Sequence, residues 1–176
     1  KALLPRSFAR PTKKFLSAIA AISPTPVHGK SDGATPPRTK PILYWGNHDA
    51  AAKINYYIKE MRSALKRGKS ILFLVPELYK IEYFKARIPL LKDGNCTIGT
   101  RASLSTPREN LGLIIVDDEE STYYKSFDQQ PYINAREVAL KLAELTGAKM
   151  ILASNLPSIE TFWKAKNGEY ELKSST

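Results

Sequence analysis

The feature that most constrains the fold of this chain is the alternation of short apolar runs with longer amphipathic segments. The apolar runs predict strands at Ile42–Trp45, Ser70–Val75, Asn95–Ile98, Leu111–Val116 and Lys149–Ala153, with an edge strand at Tyr170–Leu172. Apolar residues three or four apart predict helices over 49–65, Glu77–Ile88, Asn134–Leu145 and Ser158–Lys164. Strands that alternate with helices form a parallel sheet with helices on both faces, so the predicted fold class is α/β.

The ends and inward faces of two helices can also be predicted. Asp49 is a suitable N-cap for the first helix, and Gly147 is a suitable stop for the third. Helical spacing predicts that the first helix buries Ile54, Ile58, Met61 and Leu65, and that the third buries Val138, Leu142 and Leu145.

Composition changes near residue 40. We interpret residues 1–22 as a basic helix, 23–40 as a Pro- and Gly-rich linker, and 41–176 as one α/β lobe. Residues 1–40 contain eight Lys or Arg and one acid, Asp32, so they carry +7 of the +10 net charge. Such an arm suits a polyanion, nucleic acid first, although a solubilising tail would have the same composition. Because the first residue is Lys1, we expect the chain to be part of a longer one.

Several classes of protein do not fit the composition. The chain contains no run of 18 or more apolar residues, which argues against a transmembrane protein. Its one cysteine, Cys96, cannot form a disulfide within the chain, which favours a reducing compartment, the cytoplasm. Its two histidines, His28 and His48, have no partners at metal-ligand spacing, so a structural metal site is unsupported.

Acidic residues follow the strand Leu111–Val116, at the strand end where parallel sheets bind ligands. An apolar strand that ends in two acids is typical of a Walker B element. The first carboxylate, Asp117, would hold Mg²⁺, and the second, Asp118, would polarise the water that attacks a γ-phosphate. The alternative interpretation is a solvated acidic loop.

The Walker A loop that should accompany such acids is degenerate. The turn before the first helix reads GNHDAAAKI, from Gly46 to Ile54. Of the residues that the motif G-x-x-x-x-G-K-[ST] requires, only the lysine is present, as Lys53. Asn47 and Ala52 replace the two glycines, and Ile54 replaces the Ser or Thr that supplies the hydroxyl. A capped helix start is therefore favoured over a phosphate-binding loop, and bound Mg-ATP is not expected.

Aromatic and basic residues are interleaved after the acids. The cluster consists of Tyr123, Tyr124, Lys125, Phe127, Tyr132 and Arg136. Such a mixture is typical of single-strand binding, in which bases stack and phosphates pair with cations. Some of these aromatics could instead fill the core beside the following helix.

Four ordered segments resemble the first RecA-like lobe of the PriA-type primosomal DNA helicases. They are GKSILFLVPEL (68–78), IGTRASLSTPRENLGLIIVDDEESTYYKS (98–126), PYINAREVALKLAE (131–144) and ILASNLPSIETF (151–162). The resemblance covers about residues 41–172. It implies a RecA-like fold, DNA as a partner, and association with other replication-restart proteins in the bacterial cytoplasm, at the nucleoid.

The resemblance also implies roles for individual residues. Thr100 and Arg101 match a segment that touches the DNA backbone, and Tyr124, Lys125, Tyr132 and Arg136 match a DNA-sensing loop. Asp117 matches the Mg²⁺-binding acid and Glu119 a third acid. Asp118 replaces the catalytic Glu, and Glu120 replaces a His.

Three departures from the family fall on ATP handling. They are the Walker A loop, the altered acids and a short stretch of 22 residues between Pro76 and Gly99. We therefore expect a DNA-binding lobe of replication restart that does not hydrolyse ATP. The alternatives are the ATP-binding lobe of an active 3′–5′ helicase with a divergent loop, and a protein-interaction scaffold.

Overall fold

The computed structural model describes residues 39–46, 49–125 and 134–174. The predicted helix over 1–22 and nearly all of the linker 23–40 lie outside the described residues. The strands are β1 (Ile42–Trp45), β2 (Ser70–Leu74), β3 (Cys96–Gly99), β4 (Leu111–Asp117), β5 (Lys149–Ser154) and β6 (Glu171–Ser174). The helices are α1 (Ala50–Lys66), α2 (Tyr79–Arg87), α3 (Ala135–Thr146) and α4 (Ile159–Lys166). Short 3₁₀ turns cover Pro89–Lys92, Arg101–Ser105 and Thr122–Tyr124.

The six strands form one sheet in the order β3-β2-β4-β5-β1-β6, and every paired neighbour is parallel. The predicted edge strand is present as β6, where it pairs with β1 and the Glu171 N–H donates to the Pro41 carbonyl at 2.8 Å. β4 lies inside the sheet between β2 and β5, so the acids that follow it are placed near the middle of the carboxyl edge. The predicted α/β class, a parallel sheet with helices, is confirmed.

Helices cover both faces of the sheet, as predicted. Alternate residues of the strands point to opposite sides, so Leu72 and Leu74 pack with α3 and α4 while Ile71 and Phe73 pack with α1 and α2. Each face therefore has its own apolar cluster, and the central strands are buried on both sides. This explains why β2 and β4 are almost continuously apolar.

The inward faces of two helices differ from the prediction. In α1 the buried side chains are Lys53, Tyr57, Met61 and Ala64, and the predicted Ile54, Ile58 and Leu65 are only partly buried against the same cluster. In α3 Leu142 is buried and Val138 partly so, but Leu145 is 55% exposed, and Ala135 and Ala139 face the sheet instead. In α1 polar contacts at the carboxyl edge turn Lys53 and Tyr57 inward. In α3 small alanines allow close packing on the sheet.

Helix ends follow the predicted capping. The Asp49 side chain accepts from the Ala52 N–H at 2.9 Å, and Gly147 ends α3 in the left-handed conformation, with φ of 68°. α2 begins at Tyr79 rather than Glu77. Among the described residues no helix combines the length and apolar character needed to cross a membrane.

Gly112 offers a test of strand packing. A Cβ at Gly112 would lie 2.5 Å from Lys69 Cβ and 2.6 Å from Lys69 Cγ, so β4 or the chain at Lys69 must move. We expect Gly112→Ala to lower the free energy of unfolding by about 1–3 kcal/mol, the usual effect of overpacking. Urea unfolding followed by circular dichroism measures this.

The control is Gly94→Ala, since a Cβ at Gly94 meets nothing within 4 Å. That variant should stay within about 0.5 kcal/mol of the parent, as exposed substitutions usually do. Equal losses in the two variants would contradict the packing described for Gly112.

Candidate functional site at the carboxyl edge of the sheet

Two adjacent carboxylates stand at the end of β4. Asp117 is the last residue of the strand and is fully buried, while the side chain of Asp118 is 25% exposed. Asp118 has φ of 47°, in the left-handed region that Asp tolerates better than most residues. This turn of the backbone sends both carboxylates toward α1 and α2.

Three side chains from these helices contact the Asp117–Asp118 pair. From α1, Lys53 Nζ lies 2.8 Å from Asp117 Oδ1 and 3.3 Å from Asp118 Oδ1, and the Tyr57 hydroxyl donates to Asp117 Oδ1 at 2.8 Å. From α2, Lys80 Nζ lies 3.2 Å from Asp117 Oδ2 and also contacts Asp118 Oδ2. Two ammonium groups therefore face two carboxylates, and their charges balance. We call these five residues the carboxylate clamp.

The charges within the clamp reinforce one another. Burial disfavours the ammonium of Lys53, but the charges and hydrogen bonds of Asp117 and Asp118 outweigh it and raise the pKa of Lys53. Burial also disfavours the ammonium of Lys80, but the charges and hydrogen bonds of Asp117 and Asp118 outweigh it and raise the pKa of Lys80. Burial opposes ionisation of Asp118, but the hydrogen bond from Lys80 and the charge of Lys53 lower its pKa. Both lysines thus remain cationic, and Asp118 anionic, at neutral pH.

The clamp does not fit a magnesium–nucleotide complex. Mg²⁺ requires carboxylate oxygens at about 2.0–2.1 Å, and here both oxygens of Asp117 already accept from cationic or hydroxyl donors. The start of α1 also carries an acid, because Asp49 accepts from the Ala52 N–H and a phosphate at this helix start would meet that carboxylate. Among the described residues there is no group of three or more His, Cys, Asp or Glu that could hold a metal ion.

A second buried acid, Glu119, ties two helices together. Its carboxylate accepts from Arg136 Nη1 at 2.7 Å, from the Ser158 N–H at 2.7 Å and from the Thr161 hydroxyl at 3.0 Å. Glu119 is 2% exposed and the Arg136 side chain 12%, so this ion pair is largely removed from water. Arg136 thus holds the starts of α3 and α4 against the end of β4, rather than pointing to solvent as a DNA contact would require.

Tyr124 also differs from the predicted DNA contact. It is 1% exposed, and its hydroxyl lies 2.7 Å from the Asp117 carbonyl and 3.1 Å from the Leu74 carbonyl. The alternative interpretation, that some aromatics of this cluster fill the core, is confirmed for Tyr124. The reason is that the turn after β4 folds Tyr124 back under the ends of β2 and β4.

The other predicted DNA contacts lie on the surface. Thr100, Arg101 and Tyr123 line one open groove at the ends of β2 and β3, and Lys125 is exposed beside them. Arg101 Nη1 donates to the Lys125 carbonyl at 3.1 Å, which joins the two loops. Four further residues line this groove, namely Pro76, Glu77, Leu78 and Tyr79. Phe127 and Tyr132 lie outside the described residues.

Sequence reasoning missed three important residues. Tyr57 follows Lys53 by four positions, so helical spacing could have placed both on one face. Tyr79, which is 64% exposed, could have been noticed as an aromatic beside the Val75-Pro76-Glu77 segment. Lys80 gave no signal, because its contact with Asp117 joins positions that are distant in sequence.

Comparison with known proteins finds relatives over about 70% of the chain. No family model matches it. It is 34% identical over 148 residues to replication restart protein PriA of Chlamydia pneumoniae, covering 69% of this chain and 20% of that protein. It is 30% identical over 150 residues to PriA of Bacillus subtilis, covering 70% of this chain and 18% of that protein. PriA of Rickettsia prowazekii is 30% identical over 159 residues, with 76% and 24% covered.

The chain is PriA-related. It spans about a fifth of the length of the PriA proteins that it matches. The alignment to the Chlamydia pneumoniae protein is 148 positions long, which is more than 69% of the 176 residues of this chain. It therefore contains positions at which that protein has a residue and this chain has none. Among solved structures, the N-terminal domain of the DNA packaging ATPase from bacteriophage phi29 matches with a TM-score of 0.45 and 15% identity, covering 74% of this chain and 80% of that one.

Tyr124 supports a prediction about this PriA-related lobe. Tyr124→Phe removes a hydroxyl that serves two buried carbonyls, so we expect the free energy of unfolding to fall by about 1–3 kcal/mol. Thermal or urea unfolding measures the change. The neighbouring Tyr123→Phe is the matched control, because Tyr123 is 60% exposed. If the two variants are equally stable, the hydroxyl of Tyr124 does not have the structural role described.

Proposed function

We propose that this chain is a DNA-binding lobe that acts in replication restart and primosome assembly and does not itself hydrolyse ATP. The observation that carries the proposal is the surface groove at the ends of β2 and β3, where two exposed tyrosines accompany Arg101. The relation to proteins named replication restart protein PriA supports the biological setting. The proposal locates the lobe in the cytoplasm, at the nucleoid, with other replication-restart proteins as partners.

The two tyrosines suit base stacking. Tyr79 is 64% exposed and Tyr123 is 60% exposed, and both line the same groove. Large aromatic rings left in water are available to a ligand with a flat apolar face, and every nucleobase has one. Leu78, at 73% exposure, adds apolar surface beside Tyr79.

The cations beside the tyrosines suit phosphate. Arg101 and Lys125 are both exposed, and the hydrogen bond from Arg101 to the Lys125 carbonyl keeps them close. A guanidinium donates to phosphate oxygens in a fixed planar geometry. Aromatic rings with flanking cations are the combination that single-stranded nucleic acid binds, with little dependence on base sequence.

The absence of hydrolysis is supported by the carboxylate clamp. A phosphoryl-transfer site needs Mg²⁺ held by an acid and a second acid that is free to orient water. Here Asp117 and Asp118 are both paired with Lys53 and Lys80. The Asp49 cap adds a negative charge where a helix start would otherwise favour a phosphate.

Binding of single-stranded DNA tests the first part of the proposal. We expect Tyr79→Ala and Tyr123→Ala each to weaken binding of a fluorescent oligothymidine by about 1–3 kcal/mol, the usual contribution of a stacked base. Fluorescence anisotropy measures the affinity. Binding by the parent chain should also weaken steeply with salt, because cations released from DNA favour complex formation.

The matched control is Trp163→Ala. Trp163 is an equally exposed aromatic, at 65%, but it lies on α4, which packs on β1 and β6 at the other end of the sheet. Its substitution should leave the affinity unchanged. A protein-interaction scaffold would be favoured if the affinity for DNA did not change with salt concentration. It would also be favoured if Trp163→Ala lowered the affinity as much as Tyr79→Ala and Tyr123→Ala do.

Hydrolysis tests the second part. We expect no ATP turnover above background with millimolar Mg-ATP, with or without DNA, because the carboxylates of the clamp are already neutralised. Asp117→Asn is the comparison variant in a phosphate-release assay. A clear rate in the parent chain that Asp117→Asn abolishes would show that the lobe is an active ATPase.

A further inference from the structure

We propose that Lys80 Nζ occupies the place of a divalent metal ion between Asp117 and Asp118, so that the lobe carries its own cation. The ammonium lies 3.2 Å from Asp117 Oδ2 and contacts Asp118 Oδ2 as well, which means that one atom joins the two carboxylates. A bridging metal ion makes the same pair of contacts. The proposal rests on the function proposed above, and it explains how two adjacent carboxylates stay ionised inside the protein without Mg²⁺.

The position of Lys80 distinguishes it from Lys53. Both lysines bridge the two acids, Lys53 through the Oδ1 atoms and Lys80 through the Oδ2 atoms. Lys53 shares Asp117 Oδ1 with the Tyr57 hydroxyl, whereas Lys80 is the cation on the Oδ2 side. The side chain of Lys80 is only 16% exposed, so its charge is directed into the site and not into solvent. It comes from the first turn of α2, which follows β2, and β2 pairs with β4 in the sheet.

Charge explains why a second cation is needed. Two carboxylates next to one another, one of them fully buried, repel each other and are costly to keep ionised. Lys53 neutralises one charge and leaves the site at −1. Without the Lys80 ammonium, the two Oδ2 oxygens would be left with that unbalanced charge, and hard divalent cations prefer such oxygen ligands.

The inference predicts that removing Lys80 creates a divalent-cation site. We expect Lys80→Met, which keeps the length of the side chain without its charge, to bind Mn²⁺ at least about tenfold more tightly than the parent chain, the scale on which local groups tune metal affinity. Electron paramagnetic resonance of free Mn²⁺ measures binding, with neither DNA nor nucleotide present. Lys85→Met is the matched control, because Lys85 lies on the same helix and pairs with exposed Glu82.

A second measurement covers the case in which Lys80→Met is unstable. A ligand that binds the folded state stabilises it, so Mn²⁺ should raise the unfolding midpoint of Lys80→Met while leaving the parent and Lys85→Met unchanged. Adding Asp118→Asn to Lys80→Met should abolish both effects. The inference is overturned if the parent binds Mn²⁺ as tightly as Lys80→Met, or if Lys80→Met gains neither binding nor stability. Because no DNA is present, either result leaves the DNA-binding proposal intact.

Discussion

The buried carboxylate of Asp117 is the interaction on which the rest of the carboxyl edge depends. It ends the central strand β4, accepts from Tyr57 on α1, and pairs with Lys53 on α1 and Lys80 on α2. Its own backbone carbonyl accepts from Tyr124 in the next turn. A buried anion must be paired and hydrogen-bonded, so this one residue fixes where two helices and a loop stand relative to the sheet.

Glu119 has the corresponding role on the opposite face. Its contacts with Arg136, Ser158 and Thr161 connect the starts of α3 and α4 to the same strand end. The three consecutive acids at the end of β4 therefore contact the two faces in turn, Asp117 and Asp118 toward α1 and α2, and Glu119 toward α3 and α4. In this lobe the acids hold the architecture together, and Tyr79, Arg101 and Tyr123 line a separate surface groove.

This arrangement gives a structural role to the two acids at the end of β4 in a chain that lacks the glycines of a Walker A loop before α1. Paired with lysines inside the protein they have a structural use, since removal of either partner leaves an uncompensated buried charge. The short connection from β2 to α2 contributes by placing Lys80 within reach of both carboxylates.

The sequence by itself determined the α/β class, the order of strands and helices and most caps, because apolar periodicity and the residues Asp49 and Gly147 act locally. The sequence also predicted that Asp117 and Lys53 lie at the same edge of the sheet, its carboxyl edge. It could not decide which aromatic of the Tyr123–Tyr124 pair faces water, because both fit the pattern and only packing under β2 and β4 separates them. Nor could it reveal Lys80, since an ion pair between distant positions exists only once the sheet has assembled. Which of these residues are buried and which are exposed was decided by tertiary structure.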